Sequence, residues 1–290
     1  MNDYFLSVIL GIVEGLTEFL PVSSTAHLRI SEALMKIPLD DPYWKMYTIV
    51  IQLGAILALL LLFLSRIVDF LRTFPKGDSG DRNWWNHPIS LTAFAFVATA
   101  IPAKLLKHWV DQNLGSLKVM ALALLIGGIV MWIVDVWSER YEPSTRDVEQ
   151  MSLPQAIWIG FCQTCSAIFP GTSRSMSTIA AGQLVGLSRP AALEFSFLLS
   201  IPTMIAATIY DLYKEVFSHS ADTATHVVMT ANSWGVLAVG FVVSFIVALG
   251  VVEWFLFWVR KHGFTIFAVY RILLAIVLLI WGAKIVGGSM

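Results

Sequence analysis

Six near-continuous apolar runs, each close to the ~20 residues that cross a bilayer core, limit what this chain can become. They lie at roughly 44–64, 88–108, 116–137, 191–212, 233–258 and 265–287. Only 13% of the 290 residues are charged and 57% are hydrophobic, whereas a soluble domain carries about 25% charged residues. The reading is an all-α polytopic membrane protein, one integral domain over 1–290. A net charge of −1 leaves no case for nucleic acid, which calls for a clustered basic face. No basic n-region followed by a small-residue cleavage site opens the sequence, so no removed signal peptide is expected.

Two more apolar stretches, roughly 4–36 and 153–185, are broken at Leu20-Pro21 and Phe169-Pro170. Each half holds about 14–17 residues, or ~21–25 Å of helix, short of a ~30 Å core. Re-entrant helical hairpins fit better than spans, and such backbone survives at membrane depth only inside protein or along a cavity. Adding 149 to a position carries Gly11 to Gly160, Pro21 to Pro170, Ser24 to Ser173, Phe96 to Phe245 and Trp132 to Trp281. The two halves, about 1–149 and 150–290, read as repeats with an odd number of spans each, hence inverted. Inverted repeats place their site near the midplane, where broken helices meet. On that register the second hairpin has Gln163 for Glu14, Ala167 for Glu18, Arg174 for Thr25 and Met176 for His27.

Charge counting favours both termini outside. One side holds Arg66, Arg72, Lys76, Arg82, Arg260 and Lys261; the other holds Lys104, Lys107, Lys118 and Lys214. The 65–87 segment is taken as a loop. Trp84-Trp85 and Trp254 to Trp258 read as interfacial anchors, and Asp135 and Glu253, near span ends, as facing water. Cys162 and Cys165 sit in an apolar helical run and read as inert buried thiols.

The chemistry is concentrated at the two breaks. Glu14 and Glu18 share a helix face. There they repel unless a cation or a shared proton relieves them, or both face water. Ser23, Ser24 and Thr25, and Thr172 and Ser173 in the second hairpin, follow prolines and suit helix N-caps. Two helix N-termini converging at one depth also suit a phosphate or carboxylate. Arg174, beside Pro170-Gly171, needs an anionic partner: either a phosphate or Glu14 or Glu18. His27 is either a hydrogen-bonded core histidine or a general base or nucleophile. Without a Walker-type loop, ATP is not the expected substrate. An intramembrane phosphoryl-transfer site is the first reading, and a secondary transporter, also built from broken helices, is its rival.

At Glu14 to His27, and at Pro170-Gly171-Thr172-Ser173-Arg174-Ser175 with Thr178, the sequence resembles the undecaprenyl-diphosphate phosphatase family, the bacitracin-resistance proteins. The likeness covers essentially the whole chain and departs from the family's small residues at Met176-Ser177. It implies hydrolysis of undecaprenyl diphosphate to undecaprenyl phosphate and phosphate, recycling the lipid carrier of the cell wall. It also implies bacitracin resistance, a divalent cation (Mg²⁺ or Ca²⁺), and a place in the bacterial plasma membrane with the site facing the periplasm or exterior. Carried over by position, Glu14 and Glu18 would hold the metal and diphosphate. Ser24, activated by His27, would attack, with His27 itself or water as alternatives. Arg174 would clamp phosphate, and Ser23, Thr25, Gly171, Thr172, Ser173, Ser175 and Thr178 would contact the substrate. The lipid tail would leave sideways between spans. A flippase of a lipid phosphate remains the alternative, and a homodimer is an open possibility.

Overall fold

Each apolar run folds as a helix, and its capping residues set where it begins. The computed structural model describes residues 2–38, 41–77, 80, 83–106, 116–217 and 229–285. Arg82, Lys107 and the span ends expected at 108 and 287 lie outside these residues, as does the side chain of Lys214. Helix α1 spans Asp3–Thr17, α2 Ser24–Leu34, α3 Pro42–Leu62, α4 Leu64–Thr73, α5 Pro88–Leu105 and α6 Leu117–Ser138. The second half gives α7 Leu153–Ile168, α8 Arg174–Leu184, α9 Arg189–Phe217, α10 Ala231–His262 and α11 Thr265–Ile285. Six of them, α3, α5, α6, α9, α10 and α11, are long and apolar enough to cross a membrane. The chain is a multi-pass membrane protein.

Local chemistry explains the boundaries. Asp41 accepts from the N–H groups of Tyr43 and Trp44 at 2.8 and 3.1 Å, with Pro42 at the first helical position of α3. Ser152 and Gln155 form a capping box ahead of α7. The expected 65–87 loop is corrected: α4 occupies its first part, and Arg66 there is ion-paired to Glu194 and Glu149. Charges at 66, 69 and 72 masked the apolar stripe of Ile67, Phe70 and Leu71.

Helix α1 lies along α10, which lies along α3; likewise α7 lies along α5, which packs on α9. Between these groups α3 meets α9, and α6 pairs with α11. Small residues permit the close contacts. A Cβ on Gly15 of α1 would stand 2.7 Å from the Ser244 carbonyl of α10.

The chain turns between α1 and α2 over Glu18–Ser23 and between α7 and α8 over Phe169–Ser173. Both turns end in a serine N-cap with positive φ, 74° at Ser23 and 70° at Ser173. Each cap accepts from the N–H three residues on, Ala26 or Met176, at 3.4 Å. These caps are 173 − 23 = 150 residues apart, one more than the proline register of 149. The extra residue lies between proline and cap, where Val22 stands alone but Gly171 and Thr172 are two. Gly171 adopts φ 96°, and a Cβ there would come 2.6 Å from the Met120 carbonyl. Structurally, therefore, Arg174 matches Ser24 and Ser177 matches His27. Both of the latter bond back to their cap carbonyl, at 2.7 Å (His27 Nδ1 to Ser23) and 3.1 Å (Ser177 Oγ to Ser173).

Asp135 does not face water; it is 1% exposed. Oδ1 accepts from Arg189 Nε at 2.8 Å and Gln183 at 3.2 Å, and Oδ2 accepts from Phe264 N–H at 2.9 Å and Thr265 Oγ1 at 3.0 Å. It ties the ends of α6 and α8 to the starts of α9 and α11. Glu253 is exposed on the surface of α10. Breaking a buried ion pair costs about 3–5 kcal/mol, so Asp135→Ala is expected to lower the thermal midpoint in detergent by roughly 10 °C. A shift under about 2 °C would show that this cluster does not hold the helix ends.

Candidate active site

The two turns face one another and are bonded directly, Ser175 Oγ donating to the Leu20 carbonyl at 3.0 Å. Beside them opens a cavity of about 320 Å³, lined by Glu18, Ser23, Ser24, Thr25, Gly171, Ser173 and Arg174. Gln52 of α3, Ser166 and Ala167 of α7, Pro170, and Thr203, Met204, Ala207 and Asp211 of α9 complete its wall. The first turns of α2 and α8 thus border one space, with N–H groups and positive dipole ends turned toward it.

At its base Ser24 Oγ donates to Glu18 Oε2. The other oxygen, Glu18 Oε1, accepts from Arg174 Nη2 at 3.3 Å. Both side chains are largely withdrawn from solvent, at 14% exposure for Arg174 and 8% for Glu18. Arg174 Nη1 is buried and has no hydrogen-bond acceptor. This chain leaves a serine hydroxyl on a carboxylate, and a guanidinium with unused donors beside it.

Glu14 is fully buried and does not line the cavity. Neither of its oxygens receives a hydrogen bond, and its charged neighbours are Glu18 and Arg174. Two carboxylates facing each other out of water need a proton or a cation between them.

His27 stands apart. Its Nδ1 lies 2.7 Å from the Ser23 carbonyl, which can only accept, so Nδ1 carries a proton. In the neutral ring, Nε2 then accepts from the Tyr270 hydroxyl, also at 2.7 Å. The expected Ser24–His27 pair is therefore corrected: Ser24 is bonded to Glu18, and both nitrogens of His27 are engaged elsewhere. The structure also keeps three expected substrate contacts out of the cavity. Thr172 Oγ1 donates to the Phe169 carbonyl at 2.8 Å, Ser175 joins the turns, and Thr178 bonds Ser196 of α9 at 2.6 Å. Met176, the departure from the family pattern, is buried, and a Cβ on Gly127 would stand 2.6 Å from its Cε.

Sequence reasoning missed Gln52, Thr203, Asp211, Tyr270 and Arg271. Arg271 alone carried a clear signal, as a charge in the body of the 265–287 run, away from Lys284 near its end. It is 0% exposed and donates to the Pro21, Ala123, Gly171 and Thr172 carbonyls.

On the far face of the second turn runs an apolar groove of about 540 Å³ between α6, α7 and α8. It starts at Phe169, Thr172 and Met176 and follows Val119, Leu122, Ile126 and Val130 along α6, about 16 Å at 1.5 Å per residue. Both cysteines line it; Cys165 is exposed there rather than buried, and neither forms a disulfide.

Fold and site together define a multi-pass membrane protein with a carboxylate–hydroxyl–guanidinium cluster where two helix N-termini meet. The chain belongs to the bacitracin resistance protein BacA family, whose pattern matches residues 7–277. It is 59% identical over 286 residues to an undecaprenyl-diphosphatase of Koribacter versatilis (strain Ellin345), covering 98% of this chain and 100% of that one. It is 43% identical to the undecaprenyl-diphosphatase of Caldanaerobacter subterraneus subsp. tengcongensis, covering 93% of each chain. It is 42% identical to that of Thermus thermophilus, covering 93% of this chain and 94% of that one.

Replacing one of two facing buried carboxylates by an amide supplies a donor and removes repulsion. Glu14→Gln is expected to raise the thermal midpoint in chelator by about 2 °C or more, and to abolish any stabilisation by Mg²⁺ or Ca²⁺. A lowered midpoint in chelator would mean that Glu14 is paired in a way its geometry does not show.

Proposed function

We propose that this chain is an integral membrane phosphatase that hydrolyses undecaprenyl diphosphate to undecaprenyl phosphate and inorganic phosphate. This activity recycles a cell-wall lipid carrier and underlies bacitracin resistance. The observation that carries the mechanism is Ser24 bonded to Glu18, itself gripped by Arg174. The relatives' names lend no support to a transporter.

In this reading the terminal phosphoryl group rests against Arg174 and the first-turn N–H groups of α2 and α8. Ser23, Thr25, Gly171 and Ser173 wall the same space. Ser24 Oγ attacks phosphorus as its proton passes to Glu18 Oε2. The bond from phosphorus to the bridging oxygen breaks, and Glu18 gives that proton to the departing lipid phosphate. Glu18 then takes a proton from the water that cleaves the phosphoserine, and Ser24 recovers a proton as inorganic phosphate leaves. Water attacking directly, with Glu18 as base, is the second reading, because the same carboxylate lines the cavity. His27 holds the Ser23 cap from behind.

Glu14 and Glu18 suit a hard divalent cation such as Mg²⁺ or Ca²⁺. Glu14 brings two unpartnered oxygens, while Glu18 already serves Ser24 and Arg174. Among the described residues no group of three His, Cys, Asp or Glu side chains is placed to hold a metal, so phosphate oxygens and water would complete its shell. When bound, the cation supplies neutralisation of charge on the phosphoryl group.

The two short helix pairs are read as re-entrant hairpins dipping from opposite faces, within two inverted halves of one domain. Helix contacts that exchange in pairs, α1 on α10 with α7 on α5 and α2 on α11 with α8 on α6, support this. The face holding Arg66, Arg72, Lys76, Arg260 and Lys261 is taken as cytoplasmic. Helix α9 starts at Arg189, whose partner Asp135 also binds the start of α11, and reaches the cavity only at Thr203 to Asp211. The cavity therefore opens toward the periplasm or exterior of a bacterial plasma membrane. The groove along α6 is assigned to the start of the isoprenoid tail. Every group comes from one chain, so a homodimer would carry two independent sites.

Phosphate release from undecaprenyl diphosphate in detergent, with Mg²⁺ or Ca²⁺ and with chelator, tests the activity. Arg174→Ala and Glu18→Gln are expected to lose at least 10²–10³-fold in turnover. Phosphoserine should be trappable on Ser24; full turnover by Ser24→Ala would remove Ser24 as nucleophile. Ile126→Trp, filling the groove, is expected to raise KM several-fold for the long-chain substrate and leave a short-chain prenyl diphosphate unchanged. Equal effects on both would place the tail elsewhere.

A further inference from the structure

We propose that Arg271 is the positioning residue of the site, holding the two turns at one fixed separation; the catalytic part of this rests on the hydrolytic reading above. Arg271 lies within α11 and is completely buried. An arginine in such a place would ordinarily be neutralised by a carboxylate, but its acceptors are carbonyls. Nη1 donates to Pro21 O at 3.1 Å in the first turn. Nη2 reaches Gly171 O at 3.2 Å and Thr172 O at 2.8 Å in the second turn, and Ala123 O of α6 at 3.3 Å. One planar fork thus bridges both turns, which a single lysine nitrogen does not reproduce.

The slot is cut to the guanidinium. Gly127 of α6 faces it, and a Cβ there would strike Nη2. What the fork holds in register is the reacting set: Glu18 opens one turn and Ser24 follows it, and Arg174 follows the other. A displacement of about 1 Å in such a set costs on the order of 10²-fold in rate. Arg271 touches none of these side chains, so it works through the backbone that carries them.

The test uses the full chain in detergent. Arg271→Lys, with the fold checked by thermal midpoint, is expected to lose about 100-fold in kcat while KM moves less than threefold. Amide hydrogen exchange should rise together in 18–25 and 169–175, and nowhere else. Gly127→Ala keeps Arg271 but crowds its slot; it is expected to lower kcat and loosen the same two segments. The double variant should be no slower than the slower single, as for residues acting through one contact. The proposal is overturned if folded Arg271→Lys keeps kcat within threefold, if exchange rises in one turn only or evenly throughout, or if the two losses multiply. Should Arg271→Lys fail to fold, Gly127→Ala decides alone: paired loosening supports the proposal and unchanged exchange overturns it. If the wild-type chain released no phosphate from a polyprenyl diphosphate, the hydrolytic reading would fall, and the exchange measurements would still decide the role of Arg271.

Discussion

A turn within an apolar protein interior leaves carbonyls that no helix satisfies and no water reaches, and each such group costs about 1–3 kcal/mol if unpaired. The guanidinium of Arg271 answers this for both turns at once. The same turns end in serines at positive φ, a backbone state that costs of order 1–3 kcal/mol outside glycine. Such strain persists only where the surroundings over-determine it. Here the surroundings are the Arg271 fork, the Ser175–Leu20 bond and the capping bonds at Ala26 and Met176. Positive φ at each cap lets the chain reverse sharply into the next helix, and that reversal aims the first turns of α2 and α8 at one cavity.

Two locally similar turns have been given unlike chemistry. At matching positions after the cap stand Ser24 and Arg174, so one helix N-terminus presents a hydroxyl and the other a cation. They are joined through Glu18, which accepts from both. A carboxylate between a hydroxyl and a guanidinium fixes the two relative to each other through one pair of oxygens. The match His27–Ser177 has the opposite character. Both side chains bond back to the carbonyl four residues earlier, a structural role common to the two turns.

Much of the architecture was legible because a bilayer admits few solutions. Apolar runs of span length became α3, α5, α6, α9, α10 and α11, and prolines at 21 and 170 marked the two breaks. The one-residue error in register arose at Gly171, whose left-handed backbone absorbs an extra residue that no periodicity reports. The pairing of Ser24 with His27 was what the family resemblance implied; the Ser23 carbonyl and Tyr270 hold the imidazole instead. Asp135 was misread because distance from a span end says nothing of what folds over it, and Phe264 and Thr265 cover it. Tyr270 and Arg271 stand about 250 residues from the turn they support, so no local pattern ties them to it.

Glu14 shows why such a site is not arranged for stability. Its carboxylate is buried without a donor while Arg174, close by, keeps an Nη1 without an acceptor. Had the fold been arranged only to endure, these two groups would be paired. Left as they are, the unspent acceptors of Glu14 suit a cation and the unspent donor of Arg174 suits an anion, side by side in a low-dielectric setting where charge is felt strongly. A cation and a diphosphate arriving together would satisfy both, and would neutralise each other in doing so. The mismatch between these two side chains is therefore complementary in charge to a cation and an ionised phosphate ester together, and an apolar groove runs on the far side of the turn.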